Sequence, residues 1–268
     1  MAITTTTHDT LLASERRDRY KLLMQLVAVA GVVIASCIFV GLFDLQRLAR
    51  GLPALFELMR NMLPPNFGDW QDWLKPLADT LAMSIAGTAM AVIVSIPLAF
   101  LSARNTTPNR SVYYFVRNLL NFLRTVPELI MGIIFVAAVG FGPLAGVLAV
   151  GLHSIGMVGK FFAESVEHAD PAPIEAVRAT GASPLQVILH GVAPQVLPQF
   201  LDVSIYRWEY NFRASTVMGL VGAGGIGFEL IGSLRILQYQ EVFAILLVIL
   251  AMVMLVDGIG SRLRRALQ

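Results

Sequence analysis

The chain has 268 residues, with 20 Lys and Arg against 18 Asp and Glu. Charged residues make up only 14% of the chain, whereas a soluble domain carries about 25%, and hydrophobic residues reach 56%. This composition excludes a disordered chain, a disulfide scaffold (Cys37 is the single cysteine) and a basic nucleic-acid-binding protein. It predicts an all-α, polytopic membrane protein.

The N-terminal third contains two predicted spans. A span needs about 20 apolar residues because the hydrocarbon core is about 30 Å thick. Leu22–Phe43 and Leu81–Ala103 are uncharged and long enough. Between them we predict a short amphipathic helix, Arg47–Leu63, and an aromatic interfacial anchor at Trp70 and Trp73.

The next uncharged stretch, Leu129–Gly159, is too long for one span, and the turn signal Phe141-Gly142-Pro143 divides it. The first half is then too short to cross the membrane. The third helix is therefore predicted to begin upstream and to carry Arg124 and Glu128 into or near the bilayer. Pro143–Lys160 is the predicted return span.

A fifth helix is predicted to begin near Gln199, and a sixth to cover about Gln240–Gly260. Six spans put both termini on one side, and the positive-inside rule makes that side the cytoplasm. The basic residues on that side are Arg16, Arg17, Arg19, Lys21, Arg104, Arg110, Lys160, Arg178, Arg262, Arg264 and Arg265. The predicted organisation is a cytoplasmic N-terminal segment (1–21), a first transmembrane helix (22–43), a periplasmic amphipathic segment (44–78) and a transmembrane domain (79–268) whose cytoplasmic loop is 170–198.

The cytoplasmic segment Asp170–Pro198 carries start and stop signals for two short helices. Pro171 and Pro173 set the start of the first helix, and Glu175 is predicted near its positive N-terminal end. Gly181 can end this helix in the left-handed conformation.

The second short helix begins at the capping box Ser183-Pro184-Leu185-Gln186. It is predicted to stop at Gly191, with Pro194 following. Isolated helices of this length are marginal in water, so the pair is expected to dock on something. Ile174 and Val177 form a small apolar edge. Docking on a separate protein and packing on the chain's own helices both remain open at this point.

The spacing of this hairpin resembles the EAA loop of ABC importer permeases: E-A-A, three residues, G, nine residues, I-x-L-P. The matching residues are Glu175, Ala176, Gly181 and Pro194. The departures are Val177, Gly191 and Ala193. The resemblance implies a coupling helix that docks on a separate ATPase, formed by Glu175, Ala176, Val177, Arg178, Gly181, Ala182 and Pro194.

Three further segments resemble the phosphonate-uptake permeases. They are Arg124-Thr125-Val126-Pro127-Glu128, Arg207-Trp208-Glu209-Tyr210-Asn211-Phe212-Arg213 and the glycine-rich 219–227. The resemblance implies a type I importer fold with a methionine-permease-like core in the bacterial inner membrane. It implies a second permease copy as a homodimer, two ABC ATPase subunits and a periplasmic or lipid-anchored binding protein. ATP and Mg would bind the ATPases, and this chain would bind no cofactor.

Charges in the third and fifth helices need an explanation, since each costs roughly 2.5–3.5 kcal/mol at the centre of a membrane helix. One reading is a path for a tetrahedral oxyanion, which guanidinium groups suit. The other reading is structural ion pairs or interfacial residues. Glu209 and Arg213, four residues apart, are predicted to pair on one face. The candidate substrate-pathway residues are Arg124, Pro127, Glu128, Arg207, Glu209 and Arg213.

The segment Gly222–Gly227 matches the spacing of the dinucleotide motif GxGxxG, but no strand is predicted before it. We expect Gly222, Gly224, Gly225 and Gly227 to break a helix or to allow close packing. The sequence has no GxxxxGK[ST], so ATP hydrolysis requires a partner. No catalytic constellation and no metal-ligand cluster is predicted.

The leading hypothesis is therefore the membrane subunit of an ATP-driven importer of phosphonate, phosphite or phosphate, and not an enzyme. A permease for another solute, such as methionine, is one alternative, although the arginines of the fifth helix favour an anion. An autonomous secondary transporter is another, but it leaves the cytoplasmic hairpin unexplained. An intramembrane enzyme has no catalytic pair to support it.

Overall fold

The computed structural model describes the backbone of residues 3–267 and the side chains of residues 17 and 19–266. Within these residues every regular element is a helix, as the composition predicted. Residues 1, 2 and 268, included in the predicted N-terminal segment and transmembrane domain, lie outside the described residues. The helices are α1 (Ile3–Phe39), α2 (Leu45–Asn61), α3 (Leu74–Ser102), α4 (Arg110–Thr125), α5 (Glu128–Val139), α6 (Pro143–Glu167), α7 (Pro171–Ala179), α8 (Pro184–Val187), α9 (Ala193–Met218), α10 (Ile226–Arg235) and α11 (Tyr239–Leu267).

Within the described residues, four helices are individually long and apolar enough to cross a membrane: Arg19–Phe39 within α1, α3, α6 and Tyr239–Ala266 within α11. Two bent pairs also qualify if each pair forms one span. These are α4 with α5, bent by 88°, and Pro184–Val221 with α10, bent by 42°. The six predicted spans are therefore reached only when both bent pairs are counted.

The predicted continuous third span is wrong, because α4 ends at Thr125 and α5 begins at Glu128 after an 88° bend. Val126 has extended backbone, with φ −78° and ψ 120°. The ring of Pro127 disfavours helical backbone at the preceding residue, and Pro127 has no N–H to donate. Arg124 and Glu128 consequently lie on different helices.

The predicted stop of the second hairpin helix at Gly191 is also wrong. From α8 the chain continues through a π-helical turn, Ile188–Val192, directly into α9. The fifth span therefore begins at Ala193 rather than near Gln199. Pro194 lies in the first turn of α9, directly after the π-helical turn.

The core of the second half of the chain centres on α6, which packs against α3, α4, α5 and α9. Phe162 of α6 stacks on Phe200 of α9, with ring centroids 3.8 Å apart. At Gly156, an added Cβ would lie 2.7 Å from the backbone nitrogen of Arg124. Only glycine lets α4 approach α6 this closely.

The chain divides into two compact units, Met1–Arg60 and Asn61–Gln268. In the first unit, α2 confirms the predicted amphipathic helix, with both ends two residues earlier than expected. In the second, Trp70 is exposed as an anchor would be, but Trp73 is only 2% exposed and packs on α10 and α11. The anchor role predicted for Trp73 is wrong, because its ring is part of the core.

Candidate functional site

Arg207 of α9 is the buried cation among the predicted pathway residues, with only 5% of its surface exposed. Its Nε donates to Ser154 Oγ at 2.9 Å, and its Cζ lies 4.3 Å from the ring centroid of Tyr210. Its Nη2 is buried and has no hydrogen-bond partner among the described residues. The bond to Ser154 and the contact with Tyr210 hold the Arg207 side chain in place. Its unused donor is costly, because buried polar groups normally form hydrogen bonds.

A buried chain of hydrogen bonds joins α9 to α6 and α3. Ser154 Oγ donates to Asn211 Oδ1 at 2.9 Å, and Asn211 Nδ2 donates to Thr88 Oγ1 at 2.8 Å. None of these three residues was predicted as a site residue, although Asn211 lies in the segment from Arg207 to Arg213. Their only signal was a polar side chain in an apolar helix, and pairing between residues far apart in the chain leaves no trace in one sequence. The chain of bonds fixes which face of α9 meets α6.

The bend between α4 and α5 brings Glu128 next to α9. Glu128 Oε1 accepts a long hydrogen bond from the Tyr210 hydroxyl, 3.4 Å, and Oε2 is buried with no partner in the described part of the chain. His153 of α6 lies within electrostatic range of Glu128 and Arg207, and its Nδ1 is 3.1 Å from the carbonyl oxygen of Val126. A carbonyl only accepts, so Nδ1 carries the proton. We name Glu128, His153, Arg207 and Tyr210 the bend cluster.

Pro127 and Arg124 flank this cluster without bonding to it. Pro127 is exposed at the bend itself. Arg124 is half-buried in the last turn of α4, where a cation is favoured by the helix dipole. Its guanidinium forms no hydrogen bond or ion pair with any side chain that the structure describes. A substrate contact by Arg124 remains a prediction.

Glu209 and Arg213 do not pair with each other, so that prediction is wrong. The buried carboxylate of Glu209 binds both terminal nitrogens of Arg264, at 2.9 and 3.0 Å. Arg213 pairs with Asp257 at 3.0 Å in a half-exposed position. Both partners lie on α11, which packs along α9. The charged groups of α11 lie closer to Glu209 and Arg213 than these two residues lie to each other. These contacts join two helices, and a role in the pathway is untested for both residues.

The glycine segment interrupts the helix between α9 and α10. Left-handed φ values of 91°, 77° and 74° occur at Gly222, Gly224 and Gly225. At Gly227 the space of a Cβ is occupied by the carbonyl oxygen of Thr216. These conformations and this close approach are available to glycine alone among the common residues. A hinge role for this break stays a prediction.

The hairpin of α7 and α8 has the predicted punctuation. The side chain of Asp170 caps α7 by accepting from a backbone N–H at 2.9 Å, and Gly181 turns with φ 80°. Ser183 and Gln186 form the predicted capping box. Glu175 lies in the second turn of α7, so Asp170 rather than Glu175 satisfies the positive end of this helix.

The hairpin has an inner and an outer side. Ile174 and Val177 pack on Gly191, where an added Cβ would lie 3.2 Å from the Ile174 Cα. The predicted apolar edge therefore faces the chain itself. Leu185 and Leu189, which were not predicted as docking residues, are 65% and 54% exposed. The other predicted coupling residues at the surface are Glu175, Ala176, Arg178, Gly181 and Pro194, with Ala182 half-buried.

A pocket of about 790 Å³ lies between this hairpin and the loop that joins α3 to α4. The loop is held to α6 through Glu167, whose carboxylate accepts from the backbone N–H of Arg104 and from the side chain of Arg117, both at 3.0 Å. The pocket walls include Glu175 and Arg178 of α7. The hairpin and the loop thus form one continuous surface.

Neither a metal centre nor a nucleotide site is supported by the described geometry. No group of three or more His, Cys, Asp or Glu side chains within the described residues could hold a metal ion. Gly222–Gly227 lies between two helices, and residues 3–267 contain no strand to precede it. The strand–turn–helix context of a dinucleotide site is missing.

Comparisons with known proteins agree on one family. Residues 95–268 match the family described as "Binding-protein-dependent transport system inner membrane component". The chain is 65% identical over 246 residues to the phosphite transport system permease protein PtxC of Stutzerimonas stutzeri, covering 92% of this chain and 90% of that protein. It is 43% identical over 217 residues to the phosphate-import permease protein PhnE of Mycolicibacterium smegmatis, covering 81% of this chain and 41% of that protein. An inward-facing structure of the MetNI methionine ABC transporter matches with a TM-score of 0.63 and 22% identity, over 73% of this chain and 96% of that chain.

Proposed function

The chain belongs to the family of binding-protein-dependent transport system inner membrane components, and from this premise we propose that it forms the translocation pathway for phosphorus oxyanions in an ATP-driven importer. The family makes the chain a permease subunit, a transport component. The fold agrees, since solved ABC importer permeases share it.

The observation that carries the substrate proposal is Arg207, a buried guanidinium with an unused nitrogen. Guanidinium groups bind tetrahedral oxyanions through a fixed fork of donors. Relatives named for phosphite and phosphate transport support the same class: phosphite, phosphonate or phosphate. The likeness to the methionine transporter is one of fold, at 22% identity, and does not favour methionine.

The proposed partners follow from the family and, for the ATPases, from the hairpin. Two ABC ATPase subunits dock on the exposed residues of α7 and α8, and they bind ATP and Mg, while this chain binds no cofactor. A periplasmic or lipid-anchored binding protein delivers the substrate from the other side. A second copy of the chain completes the pathway as a homodimer, and no nucleic acid takes part.

The family and the apolar helices make this a multi-pass protein of the inner membrane. We further propose that both termini and the hairpin lie in the cytoplasm, where ATP is available. Nucleotide binding then draws the two docked hairpins together and switches the helices from inward-facing to outward-facing. Hydrolysis returns them and releases the substrate inside.

Purification from the native membrane followed by mass spectrometry tests the assembly. A stoichiometric P-loop ATPase is the expected companion. Reconstitution with this ATPase and the co-purified binding protein should give ATP-dependent uptake of phosphite or methylphosphonate. Uptake of methionine but of no phosphorus oxyanion would overturn the substrate class. Transport by the chain alone, without ATP, would overturn the importer.

A further inference from the structure

The bend cluster contains two buried polar atoms that have no partner among the described residues: Arg207 Nη2, a donor, and Glu128 Oε2, an acceptor. Both residues contact Tyr210. The guanidinium lies over its ring at 4.3 Å, and the carboxylate accepts from its hydroxyl at 3.4 Å. Buried polar groups are almost always hydrogen-bonded, so two adjacent exceptions of opposite character point to a ligand.

The two orphaned atoms do not satisfy each other, although they carry opposite charge. Arg207 is fixed by the hydrogen bond from its Nε to Ser154. Glu128 is fixed as the first residue of α5, after the bend at Pro127. Tyr210 bridges the two side chains, and no ion pair joins them in the described structure.

We propose that the bend cluster is a subsite for a tetrahedral oxyanion that still carries one proton, such as hydrogen phosphite or a hydrogen phosphonate. Arg207 Nη2 donates to an anionic oxygen, and Glu128 Oε2 accepts the ligand's P–OH proton. A carboxylate can only accept hydrogen bonds. An oxyanion without a proton would therefore place its own acceptor oxygen against Glu128, and the two negative charges would repel each other. Sulfate and the ionised monoesters of phosphite or of a phosphonate, which carry no such proton, are therefore rejected. This inference rests on the proposed function and adds the protonation state that the pathway selects.

Titratable and charged groups of two other helices lie close to Glu128. The titratable and charged groups that interact with it are Arg207 and Tyr210 of α9 and His153 of α6. Arg207 is a cation, and the hydroxyl of Tyr210 donates a hydrogen bond to Glu128. Both orphaned atoms are shielded from solvent, so the ligand enters when α5 and α9 separate, as alternating access requires.

The test is direct binding to the full-length chain in detergent with its co-purified ATPase and without the binding protein. The probes are inorganic phosphite as its monoanion, the monomethyl ester of phosphite and sulfate. Line broadening in the phosphorus spectrum reports the two phosphorus ligands, and competition reports sulfate. We expect phosphite to bind at least about tenfold tighter than the ester or sulfate, because each of those loses a hydrogen bond to a charged group.

Three variants assign the selectivity. Glu128→Gln, whose amide can donate as well as accept, should bring the three ligands to within about threefold of one another. Arg207→Ala should weaken phosphite by at least about tenfold. If Arg207→Ala fails to fold, Arg207→Lys keeps the charge but loses the fork and should still weaken it. Glu164→Gln is the matched control, because that carboxylate lies on α6 and pairs with Lys160 at 3.4 Å. It should keep the wild-type preference.

Equal binding of the three ligands to the wild-type chain would overturn the inference, and so would a Glu128→Gln variant with unchanged preference. Neither result touches the proposed function, which is tested separately by phosphite uptake in the complete transporter. Absence of phosphite uptake together with intact selectivity would overturn the proposed function and leave the subsite standing.

Discussion

At the scale of single residues, Arg207 shows how a charge is accommodated in an apolar helix. A cation at the centre of a membrane helix costs roughly 2.5–3.5 kcal/mol. Three contacts offset this cost: the hydrogen bond to Ser154, the face of Tyr210, and the electrostatic attraction of Glu128. The buried Nη2 has no partner among the described residues. This nitrogen can therefore donate to one further acceptor.

Asn211 is the residue on which the buried polar chain depends. Asn211→Ala removes both of its hydrogen bonds, so Thr88 loses its partner on α9 and Ser154 keeps only the bond from Arg207. We expect the free energy of unfolding to fall by about 1–2 kcal/mol. Thermal unfolding of the purified complex in detergent measures this loss. Ser165→Ala is the control, because that hydroxyl bonds only to its own helix, at Phe161. An equal effect of both substitutions would show that the cross-helix chain is not what stabilises this region.

At the scale of helices, α9 is held on two sides by different means. Towards α6 and α3 it uses the buried polar chain, and towards α11 it uses two ion pairs of unequal burial. At its C-terminal end, the glycine segment brings the start of α10 into close backbone contact with it. Each contact can be broken by one substitution with a matched control.

The ion pair between Glu209 and Arg264 should be the more valuable of the two. Glu209 is only 6% exposed in the structure, and Arg264→Met removes the partner of its carboxylate. We expect this substitution to lower the free energy of unfolding by about 3 kcal/mol, because it leaves a buried charge unpaired. Adding Glu209→Gln should recover most of this loss. Arg213→Met breaks the half-exposed pair with Asp257 and should cost about 0–1 kcal/mol. A double-mutant cycle by denaturant unfolding measures these values, and equal costs for the two pairs would contradict the ranking by burial.

Gly227 and Gly232 test the close approach of α10 to α9. In Gly227→Ala the new methyl group collides with the carbonyl oxygen of Thr216, so we expect loss of folded protein and of uptake. In Gly232→Ala nothing lies within 4 Å of the new methyl group, and alanine favours a helix interior by about 1 kcal/mol. That variant should be normal or slightly more stable. Membrane yield and thermal unfolding compare the two, and a well-folded Gly227→Ala would show that the backbones can separate there.

At the scale of the whole transport domain, the hairpin and the bend cluster are mechanically linked. The chain from α8 into α9 is one uninterrupted helical path through Ile188–Val192. Arg207 lies on that same path. A displacement of the hairpin by a docked ATPase would therefore move α9 directly, without passing through a flexible loop.

Glu175→Lys tests this coupling. The residue is exposed on α7 and lies in the second turn, so reversal of its charge should leave folding unchanged. We expect normal membrane levels and a loss of substrate uptake to below about a tenth of wild type, since rim charges steer and orient docking partners. Radiolabelled uptake and co-purification of the ATPase measure the two effects. Glu57→Lys, an exposed charge reversal on α2, is the control and should transport normally. Normal uptake by Glu175→Lys would show that α7 does not couple to the ATPase.

The sequence by itself determined the features that depend on local chemistry. Apolar runs specified the four helices that can each cross a membrane, and the residues Asp170–Gln186 specified a capped hairpin whose spacing indicated the family. Only the tertiary structure decided which charges meet. Glu209 binds Arg264 instead of Arg213, and Gly191 makes room for Ile174 instead of ending a helix. Sequence patterns report interactions between residues within one or two helical turns. In the packed structure, side chains from distant segments can lie closer than those neighbours. The partnerless atoms of Arg207 and Glu128 are likewise a property of the packed helices.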